Sequence, residues 1–198
     1  VGSEMCIRDR GIGMVIEGAK RAVEANSQIE VILVGNKKRI EDELAQYNYK
    51  EALFSIVHAP EAVKMTDPPI TAAKMKKNSS IAVALDLVKE GKAETMVSAG
   101  NTGAVMATGL LKLGKLKGVK RPCLAVIFPT LNNKKVIILD VGANVDCKPY
   151  HLLQFAIMGS IYAYKVLKER TPRVGLLSIG EEENKGNHLI LQAFKLLK

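Results

Sequence analysis

Three short segments of this chain concentrate the residue types that hold and polarise anions. The first is Ser98-Ala-Gly-Asn-Thr-Gly-Ala104. Its glycines let backbone come close to a ligand, and a helix starting there would offer free amides to a negative charge. Gly100, Asn101, Thr102 and Gly103 are the candidate cradle. The segment lacks the Gly-Lys-Ser/Thr ending of a nucleotide-phosphate loop and the spacing of a dinucleotide fingerprint. A plain strand-to-helix turn would account for it equally well. The second segment, Asp140-Val-Gly-Ala-Asn-Val-Asp-Cys-Lys148, gathers Asp140, Asn144, Asp146 and Lys148 past a run of pure Val, Ile and Leu. Polar groups at such a strand end are costly to bury unless paired. They either satisfy one another or position a substrate. The third, Ile179-Gly-Glu-Glu-Glu-Asn-Lys-Gly-Asn187, sets three acids before Lys185, Gly186 and Asn187. Consecutive glutamates point in different directions and do not converge on a cation, so a solvated acidic turn fits them better than a metal site. Lys185 adds positive charge where helix-start amides already favour an anion.

Nucleophilic chemistry has a weaker footing. Cys147 and His151 stand four apart, but a thiol relay also needs a third group to orient the histidine. A small apolar residue at the foot of a helix is the simpler reading of Cys147. Cys6, Cys123 and Cys147 form neither a CxxC pair nor a zinc spacing, which fits reduced thiols in a reducing compartment. His58 and His188 are isolated and read as core or surface residues.

The elements that must position these segments alternate. Helical periodicity covers Gly13–Ala25, Lys37–Gln46, Ile81–Lys89, Ala104–Leu113, His151–Lys168 and the stretch from Asn187 to Lys198. Asn78 or Ser79 is placed to cap the third of these, and Gly91 to end it. Strand character marks Ile29–Gly35, Phe54–His58, Thr95–Ser98, Cys123–Phe128, Val136–Asp140 and Val174–Ser178. The fourth and fifth of these pair as a hairpin through Pro129–Lys134. Ala59–Pro69 reads as a loop in which Asp67-Pro-Pro69 blocks helix continuation. Strands alternating with helices imply a largely parallel α/β sheet covered on both faces, with ligands beyond the carboxyl ends of its strands.

Composition narrows the classes. The 198 residues are 47% hydrophobic, 25% charged and 5% aromatic, with no tryptophan and a net charge of +9. No apolar run approaches the roughly twenty residues of a membrane-spanning helix, and no secretory signal is legible, which suits a cytoplasmic protein. The lysines are scattered and few aromatics interleave them. That argues against a single-strand nucleic-acid platform, so no nucleic acid is expected as a partner. The basic balance favours phosphate, an acidic protein or anionic lipid.

Taken together, the three segments resemble the PlsX-type phosphate acyltransferase family. So do Val57-His-Ala59 with Met65-Thr-Asp-Pro68, Lys76-Lys-Asn-Ser-Ser80 and His151-Leu-Leu-Gln-Phe-Ala-Ile-Met-Gly159. The likeness runs from about Met14 to the last residue. It implies transfer of a fatty acyl group from acyl carrier protein to inorganic phosphate, giving an acyl phosphate for phospholipid synthesis. It implies a three-layer α/β/α Rossmann-like fold similar to isocitrate and isopropylmalate dehydrogenases, with no cofactor. It further implies a homodimer, peripheral membrane contact and hand-over to a glycerol-3-phosphate acyltransferase. Under it, Lys185, Asn187 and Asn144 are the expected catalytic residues. Gly100, Asn101, Thr102, Gly103, Asp146, Gly186, Ser79 and Ser80 are the expected substrate and phosphate contacts, with no metal. Two departures stand out. The family's opening strand and Met-Gly-Gly-Asp loop have no counterpart in residues 1–10, which are expected to be a non-native leader. Residues 11–198 are expected to be the N-terminal two-thirds of the domain, truncated at the C-terminus. A coenzyme A-using phosphate acetyltransferase-like enzyme, a dehydrogenase of similar fold and a non-catalytic anion-binding scaffold are the rival readings.

Overall fold

A computed structural model describes residues 2–4, 11–47, 49, 51–180, 182 and 185–198. The chain divides into two compact units, Val1–Gly114 and Lys115–Lys198.

The first unit holds strands β1 (Gly2–Glu4), β2 (Val31–Gly35), β3 (Phe54–His58) and β4 (Met96–Ser98). They pair in the order β3-β2-β1-β4, every neighbour parallel. Helices α1 (Gly11–Ala25), α2 (Lys37–Leu44), α3 (Pro69–Met75), α4 (Ser80–Lys89) and α5 (Thr102–Lys112) connect them. Strand β2 shows why the sheet is buried on both faces. Val31 and Leu33 pack with Ile12, Ile16, Val23, Ile40 and Leu44 of α1 and α2. The alternate residues Ile32 and Val34 pack with Ala84 and Leu87 of α4. A period of two therefore sends one apolar set to each layer, as parallel sheets require. A third cluster joins Val63, Ala72, Ile81, Leu85 and Ala104 around α3, α4 and α5.

The second unit holds strands β5 (Ala125–Pro129) and β6 (Lys135–Leu139) and helices α6 (Pro149–Lys165) and α7 (His188–Leu197). The strands form an antiparallel two-stranded ribbon. Gly159 of α6 lies against Leu139, where a Cβ would come within 2.6 Å of the leucine methyl.

The observed α/β class and most of the elements follow the sequence pattern. Four differences have physical reasons. The parallel sheet and the β5–β6 ribbon are separate sheets rather than one. Val174–Ser178 is not a strand: it gains no strand partner among the described residues, and Leu177 remains 78% exposed. Helix α3, which the periodicity did not mark, begins at the end of the proline-bearing loop, with Pro68 as N-cap and Pro69 as first helical residue, where a missing amide costs nothing. Gly2–Glu4, within the decapeptide read as a leader, fills the slot between β2 and β4, paired to both by its backbone. Residues 1 and 5–10 of that decapeptide lie outside the described residues. Among the described residues no helix is long and apolar enough to cross a membrane.

Candidate functional site

In the first unit, β4 delivers Asn101 to the start of α5. Its Oδ1 accepts the Ala104 amide at 3.0 Å, the N-cap geometry that a short amide side chain makes best. Its Nδ2 donates to the carbonyls of Lys64, Met65 and Asp67 at 3.3, 3.3 and 3.1 Å. Both ends of a side chain only 7% exposed are thus spent on the protein's own backbone. The Gly100 amide donates to Ser98 Oγ. The Thr102 and Gly103 amides, first of the helix, take no partner among the described residues and keep the capacity to bind an anion. Gly103 is bare because Pro69 fills the space: an added Cβ would meet its ring at 2.7 Å.

Ser79 caps α4. Its Oγ accepts the Ala82 amide at 3.3 Å and donates to the Lys76 carbonyl at 2.8 Å. Ser80 is 3% exposed as the first residue of that helix. The structure thus gives both serines a place in the helix start.

In the second unit, Asp140 follows β6 and gathers four donors. Oδ1 accepts the amides of Leu124 and Ala143 at 2.8 and 3.1 Å, and Oδ2 accepts the Asn144 amide at 2.7 Å and its Nδ2 at 2.9 Å. Burial acts to raise its pKa, but the hydrogen bonds from Leu124, the Asn144 side chain and the Ala143 and Asn144 amides outweigh it and hold the carboxyl below the usual range. Asn144 Nδ2 also donates to the Pro122 carbonyl at 2.9 Å. With both its hydrogens engaged, Asn144 can offer a ligand only Oδ1, an acceptor. Asp146 lends its carbonyl to the Arg121 guanidinium at 2.7 Å.

His151 belongs to the start of α6. Nδ1 accepts the Lys148 amide at 3.0 Å, which leaves the ring proton on Nε2, 2.7 Å from the Tyr150 hydroxyl. Burial lowers its pKa, helped by the charges of Arg121 and Lys148. Burial raises the Cys147 thiol, as do the Asp140 and Asp146 charges, while Arg121 works the other way. A protonated thiol beside an imidazole engaged elsewhere is not an activated nucleophile.

The turn before α7 is built differently. Asn187 caps the helix, Oδ1 accepting the Ile190 amide at 3.0 Å. Its Nδ2 has no partner among the described residues, so both amide hydrogens stay available. Gly186 adopts φ 115, and an added Cβ would lie 2.7 Å from Ser178 Oγ and 3.0 Å from Ile190. Only glycine therefore closes this turn, and Ser178 Oγ donates to the Lys185 carbonyl across it at 3.3 Å. The stem of Lys185 lies over Gly180, whose built Cβ would be 3.1 Å from the lysine Cγ. Leu177, Ser178, Ile179, Gly186, Asn187 and Ile190 line an open cleft of about 570 Å³. Its wall sets an open amide donor and helix-start backbone beside three aliphatic side chains. Glu181, Glu183 and Asn184, part of the acidic turn, lie outside the described residues.

A family described as fatty acid synthesis protein matches residues 4–198. This chain belongs to that family. It is 48% identical over 184 residues to the phosphate acyltransferase of Thermoanaerobacterium thermosaccharolyticum, covering 93% of this chain and 54% of that protein. It is 48% identical over 185 residues to the phosphate acyltransferase of Dictyoglomus turgidum, covering 92% and 55%. The phosphate acyltransferase of Gloeothece citriformis is 50% identical over 185 residues, covering 93% and 52%. The chain spans about half the length of the curated relatives it matches.

Among the candidates in this family member, Lys185, Gly186 and Asn187 share one turn, Asn144 and Asp146 share another, and Gly100–Gly103 form a third. Two roles were not legible in the sequence, that of Lys76 in holding the loop before α3 and that of Asp140 within the second turn. Lys76 Nζ donates to Asp67 Oδ2 at 2.6 Å and to the Ala62 carbonyl at 2.8 Å. Asp140 was noticed for its place at a strand end but not as an acceptor of four bonds. A carboxylate directly after an apolar strand, followed by small residues whose amides can turn back to it, was the available signal.

Proposed function

We propose that this chain is part of an enzyme that transfers a fatty acyl group from acyl carrier protein to inorganic phosphate, releasing acyl phosphate and the free carrier thiol. The α7 turn carries this reading. Asn187 Nδ2 and the helix-start backbone offer donors to an oxyanion, while Leu177, Ile179 and Ile190 offer an apolar wall to an alkyl chain. The relatives' shared name, phosphate acyltransferase, points the same way.

Phosphate attack on a thioester needs the dianion held at the carbonyl, donors for the developing oxyanion and a positive neighbour or proton for the leaving thiolate. No covalent enzyme intermediate is required, which suits the raised pKa of the two described thiols, Cys123 and Cys147. Lys185 is the proposed cation and Asn187 the proposed donor. In the first unit, Thr102 and Gly103 present open amides of their own to an anion. Asn144, with only Oδ1 to spare, accepts from an N–H or O–H of the substrate rather than donating to phosphate. Asp146, Gly186, Ser79, Ser80, Gly100 and Asn101 shape the turns around these groups.

The rest of the reading follows the family resemblance. The fold is a three-layer Rossmann-like sheet akin to the isocitrate and isopropylmalate dehydrogenases, assembled as a cytoplasmic homodimer with peripheral membrane contact. The acyl phosphate passes to a glycerol-3-phosphate acyltransferase. The +9 net charge would draw an acidic carrier protein, with an association rate that falls as salt rises.

The test is incubation of a full-length protein bearing these residues with acyl carrier protein thioester and phosphate, trapping acyl phosphate as its hydroxamate. Formation of hydroxamate that depends on phosphate, and its loss in Lys185→Ala by about two orders of magnitude, is the expected result. Near-normal turnover in Lys185→Ala removes that residue from the site.

A further inference from the structure

Three backbone carbonyls from one loop converge on a single buried amide. Lys64, Met65 and Asp67 turn their oxygens toward Asn101 Nδ2, 34 to 37 residues away in sequence. The loop's other fastening is ionic: Lys76 Nζ holds Asp67 Oδ2 and the Ala62 carbonyl. Asp67 also accepts the Lys64 amide at 2.8 Å, closing the turn on itself. The Lys76 hydrogen bond, then the Lys64 amide, hold the Asp67 carboxyl below its ordinary range. Val63, 1% exposed, anchors the segment in the cluster with Ile81, Leu85 and Ala104. Pro69, directly beyond the loop, lies against Gly103.

We propose that residues 62–67 form a strap over the start of α5, and that Asn101 is its positioning residue rather than a ligand for phosphate. The cap alone does not require asparagine, because Ser, Asp and Asn serve an N-cap about equally. Three carbonyls around one side chain do require it: the group facing them must donate, and among the short capping residues only asparagine accepts at one end while donating two hydrogens at the other. The strap stands on these contacts. Its use as a wall that fixes what reaches the Thr102 and Gly103 amides rests on the phosphate reading above.

The strap can be tested without any activity, because one of the tied carbonyls is the trypsin-scissile carbonyl of Lys64. A protease must free that peptide from its hydrogen bonds before cutting it. Limited trypsin digestion of the chain, with sites assigned by mass spectrometry, compares the Lys64–Met65 bond with the exposed Lys117–Gly118 bond of the second unit as an internal reference. Asn101→Ser keeps the cap and replaces the two amide hydrogens by one hydroxyl of shorter reach. It is expected to speed cutting at Lys64 about tenfold, the equivalent of one to two net hydrogen bonds, with the Lys117 rate unchanged. Asn101→Asp keeps the cap equally well but sets a carboxylate among three carbonyls, so it is expected to open the strap further than serine does. Lys76→Met, which releases the other end, is expected to be less than additive with Asn101→Ser.

A capping role alone predicts the opposite order, with aspartate at least as protective as serine. That order, or equal acceleration at Lys64 and Lys117, overturns the proposal. Adding inorganic phosphate separates the two readings. Slower Lys64 cutting in the native sequence and not in Asn101→Ser supports the strap as a wall of the anion site. A strap that opens on substitution but ignores phosphate upholds the positioning role and removes the phosphate role of this turn.

Discussion

Helices α5 and α7 begin alike and are used differently. Each starts at an asparagine whose Oδ1 accepts the amide three residues on, at 3.0 Å in both cases. At Asn101 the remaining amide hydrogens are consumed by three carbonyls of a distant loop. At Asn187 they take no partner among the described residues, and the residue lines a cleft. The same residue type in the same cap position is therefore a fastening in one unit and an open donor in the other. The cap accounts for only half of an asparagine, and the other half decides its role.

The units differ accordingly in where stability resides. Ile40, fully buried among α1, α2 and β2, should cost about 2–5 kcal/mol as Ile40→Ala. Leu177, on the open cleft wall, should cost less than about 0.5 kcal/mol as Leu177→Ala. Urea denaturation of both variants checks this, and similar shifts in the two would erase the contrast.

A smaller effect is expected at the polar centre of the second unit. Asp140→Ala leaves four donors without their acceptor and should cost about 2–4 kcal/mol. Because the folded-state pKa of Asp140 is depressed, its contribution is present above the unfolded carboxyl value near pH 4 and is lost as pH falls through the lower folded value. Denaturation at pH 7 and near pH 3 should therefore show the gap between native sequence and Asp140→Ala shrinking in acid. A gap that does not change with pH would mean that the carboxylate form is not what the loop needs.

A smaller stability change than at Asp140 is expected at the open asparagine, where the functional change is greatest. Asn187→Ala removes the cap and should cost about 1 kcal/mol. Asn187→Asp keeps the cap but replaces donors with negative charge, so it should hold the melting temperature while abolishing acyl phosphate formation in the full-length protein. Full activity in Asn187→Asp would make Asn187 a cap like any other.

How much of this was legible beforehand depended on range. Ser79 and Gly91 bound α4 as read, because caps and stops act within a turn. The β5–β6 hairpin was legible because its pairing is local. The strand at Gly2–Glu4 was not: three residues carry no period, and the slot exists only because β2 and β4 flank it. The double proline was read as a breaker, since the sequence does not show whether a helix ends before it or begins with it. Val174–Ser178 has strand composition, but a strand needs a partner and composition does not supply one. For the candidate site, the three turns were found and the division of labour within them was not. That Asn101 is consumed and Asn187 is open depends on carbonyls 34 to 37 residues distant in one case and on their absence, among the described residues, in the other.

The β5–β6 ribbon has a consequence for handling the protein. Val126, Ile127, Phe128 and Val136 are exposed on it, and Ala125–Phe128 and Val136–Leu139 carry no charge. Among the described residues neither strand has a second partner, so each outer edge leaves backbone donors and acceptors unpaired, guarded chiefly by Pro129 and Lys135 at one end. Two short uncharged windows rich in β-branched residues are the composition that templates further strands. Concentrated solutions of this chain should therefore lose monomer through these edges first, and a lysine placed at Ile127 should slow that loss.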